Sequence, residues 1–285
     1  MLDVIKETVV DTLKLVPFLF LTYLLMEYIE QKTSEKSEEK IRRAGRFGPV
    51  IGALLGVVPQ CGFSASAASL YSGGIISAGS LIAIFLSTSD EMLPILISEK
   101  VKASVIIEIL AIKVISAMIM GIGIDIILHL VHKDKKSVEI HSICENDNCH
   151  CEEGSIFRSA FLHSAKIVAF ILVISFVLNT VIYYIGEENL GKVFLNVPVL
   201  GCVVGSLVGL IPNCAASVVI TELYLSGIIS AGAMISGLLT GCGIGLLVLF
   251  KTNKKNMRAN LAILCSMYVI GVVVGSIIEF MNISI

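Results

Sequence analysis

Eight apolar segments, each at least 20 residues long, take up most of this 285-residue chain. An α-helix rises about 1.5 Å per residue, so about 20 residues are enough to cross a hydrocarbon layer of about 30 Å. One water-soluble core could not bury so much apolar surface, because 55% of the residues are hydrophobic and only 15% are charged. The pattern therefore predicts an all-α polytopic membrane protein, with segments near 9–29, 47–71, 75–97, 103–132, 159–185, 198–223, 228–250 and 259–283.

The first segment is followed by no small-residue cleavage pattern, and we expect it to be retained as a span of a multi-pass protein of the cytoplasmic (inner) membrane. A net charge of −2 gives no basic surface for a nucleic acid. Five of the eight cysteines lie inside apolar segments and three lie in one polar loop. This distribution is typical of reduced thiols rather than of a disulfide framework.

The chain contains one half twice. Shifting the sequence by 153 positions without a gap brings residues 48–86 onto 201–239, and 18 of those 39 positions are identical. The matches include prolines, cysteines, tyrosines and the run Gly-Ile-Ile-Ser-Ala-Gly, which hydrophobic bias alone would not align. We therefore expect repeat halves at 1–132 and 157–285, joined by a polar linker at 133–156. Internal repeats are common in secondary transporters, which bind their passenger where the halves meet.

The second segment of each half is interrupted in its middle, by Gly-Val-Val-Pro-Gln-Cys-Gly at 56–62 and by Gly-Leu-Ile-Pro-Asn-Cys-Ala at 209–215. Proline removes a backbone donor and clashes with the preceding turn, so it divides the segment into two arms of about 12 residues. An arm of that length is too short to cross the membrane alone. Each half then has three spans and one broken or re-entrant helix pair. That gives about ten membrane segments in all.

Loop charge bears on how the halves are oriented. Lys and Arg number six in 31–46, four in 133–158 and four in 251–258, against two in 98–102 and one in 186–197. If each broken segment is a re-entrant hairpin, the three basic loops share the cytoplasmic side and the halves are inverted. A kinked single span would instead leave the halves parallel, with 133–158 outside.

The duplicated G-x-x-P-[QN]-C-x-x-S signature, the run Ser87-Thr88-Ser89-Asp90-Glu91 and the Cys/His linker resemble the family of ten-transmembrane heavy-metal exporters. Its members are labelled manganese transporters or arsenic efflux proteins, and it is similar in plan to the organoarsenical permeases. The resemblance covers essentially the whole chain. It implies transport of a metal or metalloid ion and agrees with ten segments.

The two breaks are the first candidate for a substrate site. Unwound carbonyls and half-helix ends would point into the cavity there, amides could donate or accept, and thiolates would suit a soft ion. Small Cys and Ser side chains could equally serve close helix packing. The candidate residues are Pro59, Gln60, Cys61, Ser64, Pro212, Asn213, Cys214 and Ser217.

Carboxylates are the second candidate, because an acid at membrane depth usually pairs or binds and its oxygens suit Mn²⁺. Asp90 and Glu91 interrupt an apolar stretch, and Glu222 stands two residues before Tyr224. Asp90 and Glu91 could instead occupy a water-exposed helix start, where acids favour the helix dipole. The transported ion would have Cys61, Cys214, Asp90 and Glu91 as its candidate ligands.

Other ionisable groups also stand in apolar surroundings. Glu108 and Lys113 are candidates for an internal pair or a proton relay that couples transport. Lys14 and Lys166 hold matched positions and could pair with Asp125 or Glu279, or extend towards the headgroups. In the linker, five soft or borderline ligands within eleven residues could collect metal, or the segment could be disordered; they are His141, Cys144, Cys149, His150 and Cys151.

We therefore predict a secondary transporter that exports a heavy-metal ion, with Mn²⁺ or a similar divalent cation favoured, by alternating access. The alternatives are an arsenite or organoarsenical efflux permease and, in another class, an ion channel or a membrane metal sensor. Hydrolase, zinc-protease and nucleotide-binding motifs are absent, so we expect neither an enzyme nor a bound cofactor. The partners are the ion and the lipid bilayer, and a homodimer remains open.

Overall fold

The computed structural model describes residues 47–57, 61–89, 92–131, 164–173, 198–213 and 215–281, with isolated positions between 8 and 24 and between 161 and 180. Every element of regular structure in these residues is helical. Besides the helical segment Ser164–Val173, they form α1 (Gly48–Leu55), α2 (Cys61–Ser72), α3 (Ala78–Ser87), α4 (Met92–Ser98), α5 (Ala103–Val131), α6 (Pro198–Gly209), α7 (Ala215–Leu225), α8 (Ala231–Thr240), α9 (Gly245–Thr252) and α10 (Met257–Phe280).

The order α1 to α5 repeats as α6 to α10, as the duplicated sequence predicts. In each half the third helix packs against the first and the fifth, so α3 lies between α1 and α5, and α8 lies between α6 and α10. Within the described residues, four stretches are long and apolar enough to cross a membrane: Ala78–Ser98, Ala103–Leu130, Ala231–Thr252 and Lys254–Phe280.

Glycines set these close helix contacts. They recur every fourth residue at 48, 52 and 56 on α1 and at 201, 205 and 209 on α6. A Cβ on Gly52 would lie 3.2 Å from the Ser80 carbonyl oxygen, and one on Gly209 would overlap the Gly237 carbonyl oxygen. Such small-residue stripes let helix backbones approach closely in membrane proteins.

The repeated run Gly-Ile-Ile-Ser-Ala-Gly makes the same turn in both halves. Gly74 and Gly227 end α2 and α7 with φ of 72° and 70°, the left-handed conformation in which glycine pays no Cβ penalty. The serine that follows each turn then caps the next helix. Ser77 Oγ accepts a hydrogen bond from Ser80 N at 3.0 Å, and Ser230 Oγ accepts one from Ala233 N at 3.2 Å.

Both halves contain a second break that the sequence analysis did not predict. The apolar segments 75–97 and 228–250 are each divided, because α3 ends at Ser87 before α4 begins at Met92, and α8 ends at Thr240 before α9 begins at Gly245. In the first half, the hydroxyls of Ser87 and Thr88 both donate to the Ile84 carbonyl oxygen, and Thr88 leaves the helical region with ψ 127°.

The second half makes the corresponding break by a different route. Gly241 follows α8 with ψ 90°, and Gly243 has a positive φ of 51°. Glycine reaches these conformations at little steric cost. The two halves thus have the same backbone plan with different side chains at this position.

The halves pack against each other through equivalent pairs of helices. α2 of the first half contacts α9 of the second, and α7 of the second half contacts α4 of the first. α3 also contacts α8 directly. Because α2 and α7 are repeat partners, as are α4 and α9, this reciprocal pattern is that of two halves related by an approximate two-fold axis.

Candidate functional site

The four interruptions of the helices meet at one place in the bundle. In the first half the break after α1 joins the break after α3, because Ser89 Oγ donates to the Val57 carbonyl oxygen at 2.6 Å. In the second half, a Cβ on Gly209, the last residue of α6, would overlap the Thr240 hydroxyl at the end of α8. Each proline-containing break therefore lies beside the later break of its own half.

Contacts between the halves bring these two pairs of breaks together. Gly245 begins α9, and a Cβ there would lie 2.9 Å from Ser64 Cβ on α2 and 2.9 Å from Phe85 Cε1 on α3. Lys113 Nζ donates to the Thr88 carbonyl oxygen at 2.5 Å and to the Leu238 carbonyl oxygen at 2.7 Å. The site is thus built from broken helix ends of both halves, joined by a lysine.

Lys113 is the most deeply buried charged side chain of the described residues, with 1% of its surface exposed. The Thr88 and Leu238 carbonyls lie just beyond the end of α3 and in the last turn of α8, where backbone carbonyls have no partner within their own helix. These ends carry the negative pole of the helix dipole, so a cation is stabilised between them. The sequence predicted Lys113 as an internal ionisable group, and its acceptors are an addition from the structure.

The predicted residues of the proline-containing breaks lie at or beside this meeting point. Ser64 is fully buried near the start of α2, and Ser217 is buried near the start of α7. Pro212 and Asn213 are half-buried, and the Asn213 carbonyl oxygen accepts from Ala216 N at 3.3 Å at the beginning of α7. The backbone of Cys61 begins α2, while its side chain, Pro59, Gln60 and Cys214 lie outside the described residues.

The three predicted acids do not all lie within the described residues. Asp90 and Glu91 lie outside the described residues, but their described neighbours Ser89 and Met92 are both buried. Glu222 is exposed on α7, about two turns beyond the start of that helix, so the structure does not bring it to the breaks.

The two predicted coupling residues lie on different faces of α5. Glu108 is exposed, five residues before buried Lys113, and interacts electrostatically with Tyr224 of α7. At about 100° per residue, that spacing separates the two side chains by about 140° around the helix.

Among the described residues, no three His, Cys, Asp or Glu side chains come together as a ready-made metal site. The linker residues His141, Cys144, Cys149, His150 and Cys151 lie outside that part of the chain. Cys202, Cys242 and Cys265 are not in disulfide bonds. Cys242 lies between α8 and α9 and is 1% exposed. The sequence places it in an apolar segment but does not show that it lies at a helix break.

Asp125 and Glu279 hold equivalent places at the far end of each half. Asp125 accepts from Ser77 Oγ at 2.6 Å and from Gly79 N at 2.8 Å, so it caps the start of α3. Glu279 lies against Gly232 at the start of α8, where its Oε2 atom is buried without a hydrogen-bond partner. Both acids therefore lie at the starts of helices, far from the breaks.

Comparison with known proteins agrees with the repeat and with the resemblance. A family model described as "Putative, 10TM heavy-metal exporter" matches the chain twice, over residues 1–155 and over residues 124–281. No curated protein and no solved structure matches the chain. The two matches together cover nearly all of it. The chain therefore belongs to the membrane-protein family described as ten-transmembrane heavy-metal exporters.

Proposed function

We propose that the chain is a secondary transporter that exports a divalent heavy-metal ion, Mn²⁺ or a similar cation, across the cytoplasmic membrane by alternating access. The convergence of four helix breaks from two repeated halves carries the proposal, because secondary transporters bind their passenger at discontinuous helices where the repeats meet. Gln60, Cys61, Asn213 and Cys214 stand within the two proline-containing breaks in the sequence. A hard ion such as Mn²⁺ would bind the amide oxygens of Gln60 and Asn213 together with the Asp90 carboxylate, whereas the thiols of Cys61 and Cys214 would suit a softer passenger.

The halves are inverted in this proposal. Ser72 Oγ at the end of α2 and Thr252 Oγ1 at the end of α9 are 2.6 Å apart, so the α2–α3 turn and the α9–α10 connection share one end of the bundle. The candidate span Ala231–Thr252, which includes the break between α8 and α9, runs from the α7–α8 turn to that same end. The α7–α8 turn then belongs to the opposite end from its repeat partner, the α2–α3 turn, as inversion requires.

The distribution of basic residues supports the same arrangement. The start of α1, the end of α5 and the end of α9 lie at the end of the bundle shared with the α2–α3 turn. The sequence segments that adjoin them, 31–46, 133–158 and 251–258, hold six, four and four Lys or Arg, against two in 98–102 and one in 186–197. By the positive-inside rule, the basic end is cytoplasmic.

Cysteine accessibility tests this topology. A single cysteine placed in 98–102 should react with an impermeant thiol reagent from outside intact cells, and one in 133–158 only after the cells are opened. A linker cysteine that reacts from outside would require parallel halves and contradict the inverted arrangement.

Counterflow in proteoliposomes tests whether the protein is a carrier. Vesicles loaded with unlabelled Mn²⁺ should accumulate labelled Mn²⁺ above equilibrium, because a carrier exchanges passengers one for one. An ion channel would only equilibrate the label. A membrane metal sensor would move none.

Substitutions at the breaks should identify the passenger's chemistry. For a divalent hard ion, Asp90→Asn should abolish metal tolerance while Cys61→Ser and Cys214→Ser are mild. Cys265 is an exposed thiol on α10, so Cys265→Ser is the matched control and should be neutral. The reverse order would indicate a trivalent metalloid, the second candidate, which the matched thiols of the two breaks favour.

One combined variant tests both versions of the binding site. It lacks both break cysteines and all three acids, namely Cys61, Cys214, Asp90, Glu91 and Glu222. Unchanged transport of every tested metal by this variant would contradict both.

A further inference from the structure

We propose that this structure is the outward-facing state of the carrier, in which α2 and α9 form a closed inner gate and α4 and α7 form an open outer gate. The roles of both gates rest on the proposed transport function and on the inverted arrangement of the halves. Whether each gate is open or closed can be measured on the purified protein without transport.

α2 and α9 pack against each other from the breaks to the end of the bundle. Near their starts, a Cβ on Gly245 would lie 2.9 Å from Ser64 Cβ. At their other ends, Ser72 Oγ and Thr252 Oγ1 are 2.6 Å apart. At about 1.5 Å per residue, the stretch from Ser64 to Ser72 rises about 12 Å. That end is cytoplasmic in the proposed topology, so these two helices close the cytoplasmic side of the breaks.

α7 and α4 are the repeat partners of α2 and α9, and they also begin at helix breaks. The repeat offset of 153 residues places Ser217 opposite Ser64 and Met92 opposite Gly245. Ser217 and Met92 are both buried, and α7 contacts α4. The starts of this pair therefore lie inside the protein, as the starts of α2 and α9 do.

The other ends of the two pairs differ. The repeat places Leu225 opposite Ser72 and Glu99 opposite Thr252. Ser72 and Thr252 are half-buried and hydrogen-bonded to each other, whereas Leu225 and Glu99 are both exposed. A leucine side chain has no hydroxyl, so the hydrogen bond between the inner ends has no counterpart between Leu225 and Glu99.

The neighbouring residues show the same difference in burial. Residues 72–75 and 250–252 at the inner ends are all buried or half-buried, whereas their partners 225–228 and 97–99 at the outer ends are all exposed. Ile97, for example, has 61% of its surface exposed. Positions that are covered in one half can be covered in the other, because the two halves share one backbone plan. Their exposure at the outer ends therefore indicates a gate that is open.

The inward-facing state would have the opposite arrangement of the two pairs. Packing of α4 against α7 would cover residues 225–228 and 97–99, and separation of α2 from α9 would break the hydrogen bond between Ser72 and Thr252. The starts of all four helices would stay at the breaks. An ion bound there would face the cytoplasm in one state and the outside in the other.

Cross-linking of introduced cysteine pairs tests the state of both gates. Ser72→Cys/Thr252→Cys places two sulfur atoms where two oxygens lie 2.6 Å apart, close to the disulfide length of about 2 Å. Glu99→Cys/Leu225→Cys is the matched pair at the outer gate. Each pair joins the two halves, so a disulfide holds them in one gel band after cleavage at a protease site inserted in the linker. The protein without introduced cysteines gives the background from its native thiols.

In the metal-free protein, the inner pair should cross-link at least about tenfold faster than the outer pair, because the outer gate closes only in a state populated at about 10% or less. Thr252→Val, made in the outer-pair protein, tests whether the two gates are linked. It removes the inner hydrogen bond at nearly the same side-chain shape and should raise the cross-linking rate of the outer pair about fivefold. Ser266→Ala, which removes an exposed hydroxyl from α10, is the control and should leave that rate unchanged.

Counterflow by the same proteins supplies the second measurement. Oxidation of the inner pair should abolish Mn²⁺ counterflow, because the cytoplasmic side then stays closed, and reduction should restore it. If wild type moves no metal at all, the proposed function fails and the cross-linking rates still decide which gate is closed.

Three results would overturn the proposal. The first is cross-linking of the outer pair in metal-free protein as fast as that of the inner pair. The second is an outer-pair rate that Thr252→Val does not change, which would mean that the two gates move independently. The third is full Mn²⁺ counterflow with the inner disulfide formed. If the inner-pair protein does not fold, the outer pair with and without Thr252→Val decides by itself.

Discussion

Asp125 and Glu279 hold equivalent places in the two halves but have different partners, and this difference predicts opposite effects of substitution. Asp125 accepts two hydrogen bonds at the start of α3, from Ser77 Oγ at 2.6 Å and from Gly79 N at 2.8 Å. Glu279 Oε2 is buried without a hydrogen-bond partner at the start of α8. Asp125→Ala should therefore destabilise the fold, and Glu279→Gln should not.

The size of the effect follows from the two hydrogen bonds. A hydrogen bond to a charged group contributes about 1.5 to 3 kcal/mol, and Asp125 is half-buried, so the lower part of that range applies to each bond. Asp125→Ala should lower the free energy of unfolding by about 3 to 4 kcal/mol in total. At about 2 to 4 °C per kcal/mol, the Tm should fall by about 6 to 16 °C.

Thermal unfolding in detergent, followed by the loss of monodisperse protein, measures both variants against wild type. Asp125→Asn keeps an acceptor for Gly79 N but loses the charge at the helix start, so its Tm should fall between those of wild type and Asp125→Ala. Glu279→Gln removes a poorly solvated charge and should leave the Tm unchanged or raise it slightly. A fall for Glu279→Gln as large as that for Asp125→Ala would refute the reasoning.

Two further predictions concern packing and a buried polar contact. Gly209→Ala should lower the Tm strongly, because the new Cβ overlaps the Gly237 carbonyl oxygen, whereas Gly123→Ala should be neutral or stabilising since its Cβ meets nothing within 4 Å. Asn260→Ala should cost about 2 to 4 kcal/mol in unfolding free energy, because it leaves Asn253 Nδ2 buried without its 2.7 Å hydrogen bond and removes the 3.0 Å bond to the Asn253 carbonyl oxygen, which keeps only its bond from Asn256 N. Asn260→Ser, which retains a hydroxyl, should cost less in the same thermal assay.

The sequence predicted the parts of the fold that depend on residue types with strong backbone preferences. Pro59 and Pro212 lie between the end of one helix and the start of the next, and the repeated glycine at 74 and 227 makes the same left-handed turn in both halves. These effects are local, because a missing donor or a missing Cβ acts within a few residues. The repeat register added long-range information by showing that both halves share one plan.

The second break in each half could not be predicted in the same way. The high identity ends at Leu86 and Leu239, immediately before the breaks, and the two halves then use different chemistry. Thr88 bends the first half through a hydroxyl bond to Ile84, while Gly243 adopts a positive φ in the second. A hydroxyl that bonds the preceding turn is also common in unbroken helices, so the residue type alone does not indicate a break.

The roles of Lys113 and Asp125 needed three-dimensional information for another reason. The sequence marks both as charges in apolar surroundings, but their partners lie 25 to 125 residues away. Asp125, which was expected to pair with a lysine or to extend towards the headgroups, caps α3; Lys14 lies outside the described residues, so the pairing stays a prediction. Lys113, which was expected in an internal pair or relay, donates to two backbone carbonyls, and the pair or relay stays a prediction.

If the chain is the carrier proposed above, the difference between Lys113 and Met267, which are equivalent positions of the two halves, bears on which way it faces at rest. In the inverted arrangement proposed above, exchanging the conformations of two identical halves would convert the inward-facing state into the outward-facing state. Those two states would then have equal free energies, and the empty carrier would populate them equally. A buried ammonium in one half opposite a thioether in the other removes that equality. Each 1.4 kcal/mol of difference shifts the populations about tenfold, so one buried position at which the two halves differ is enough to give the empty carrier a preferred direction.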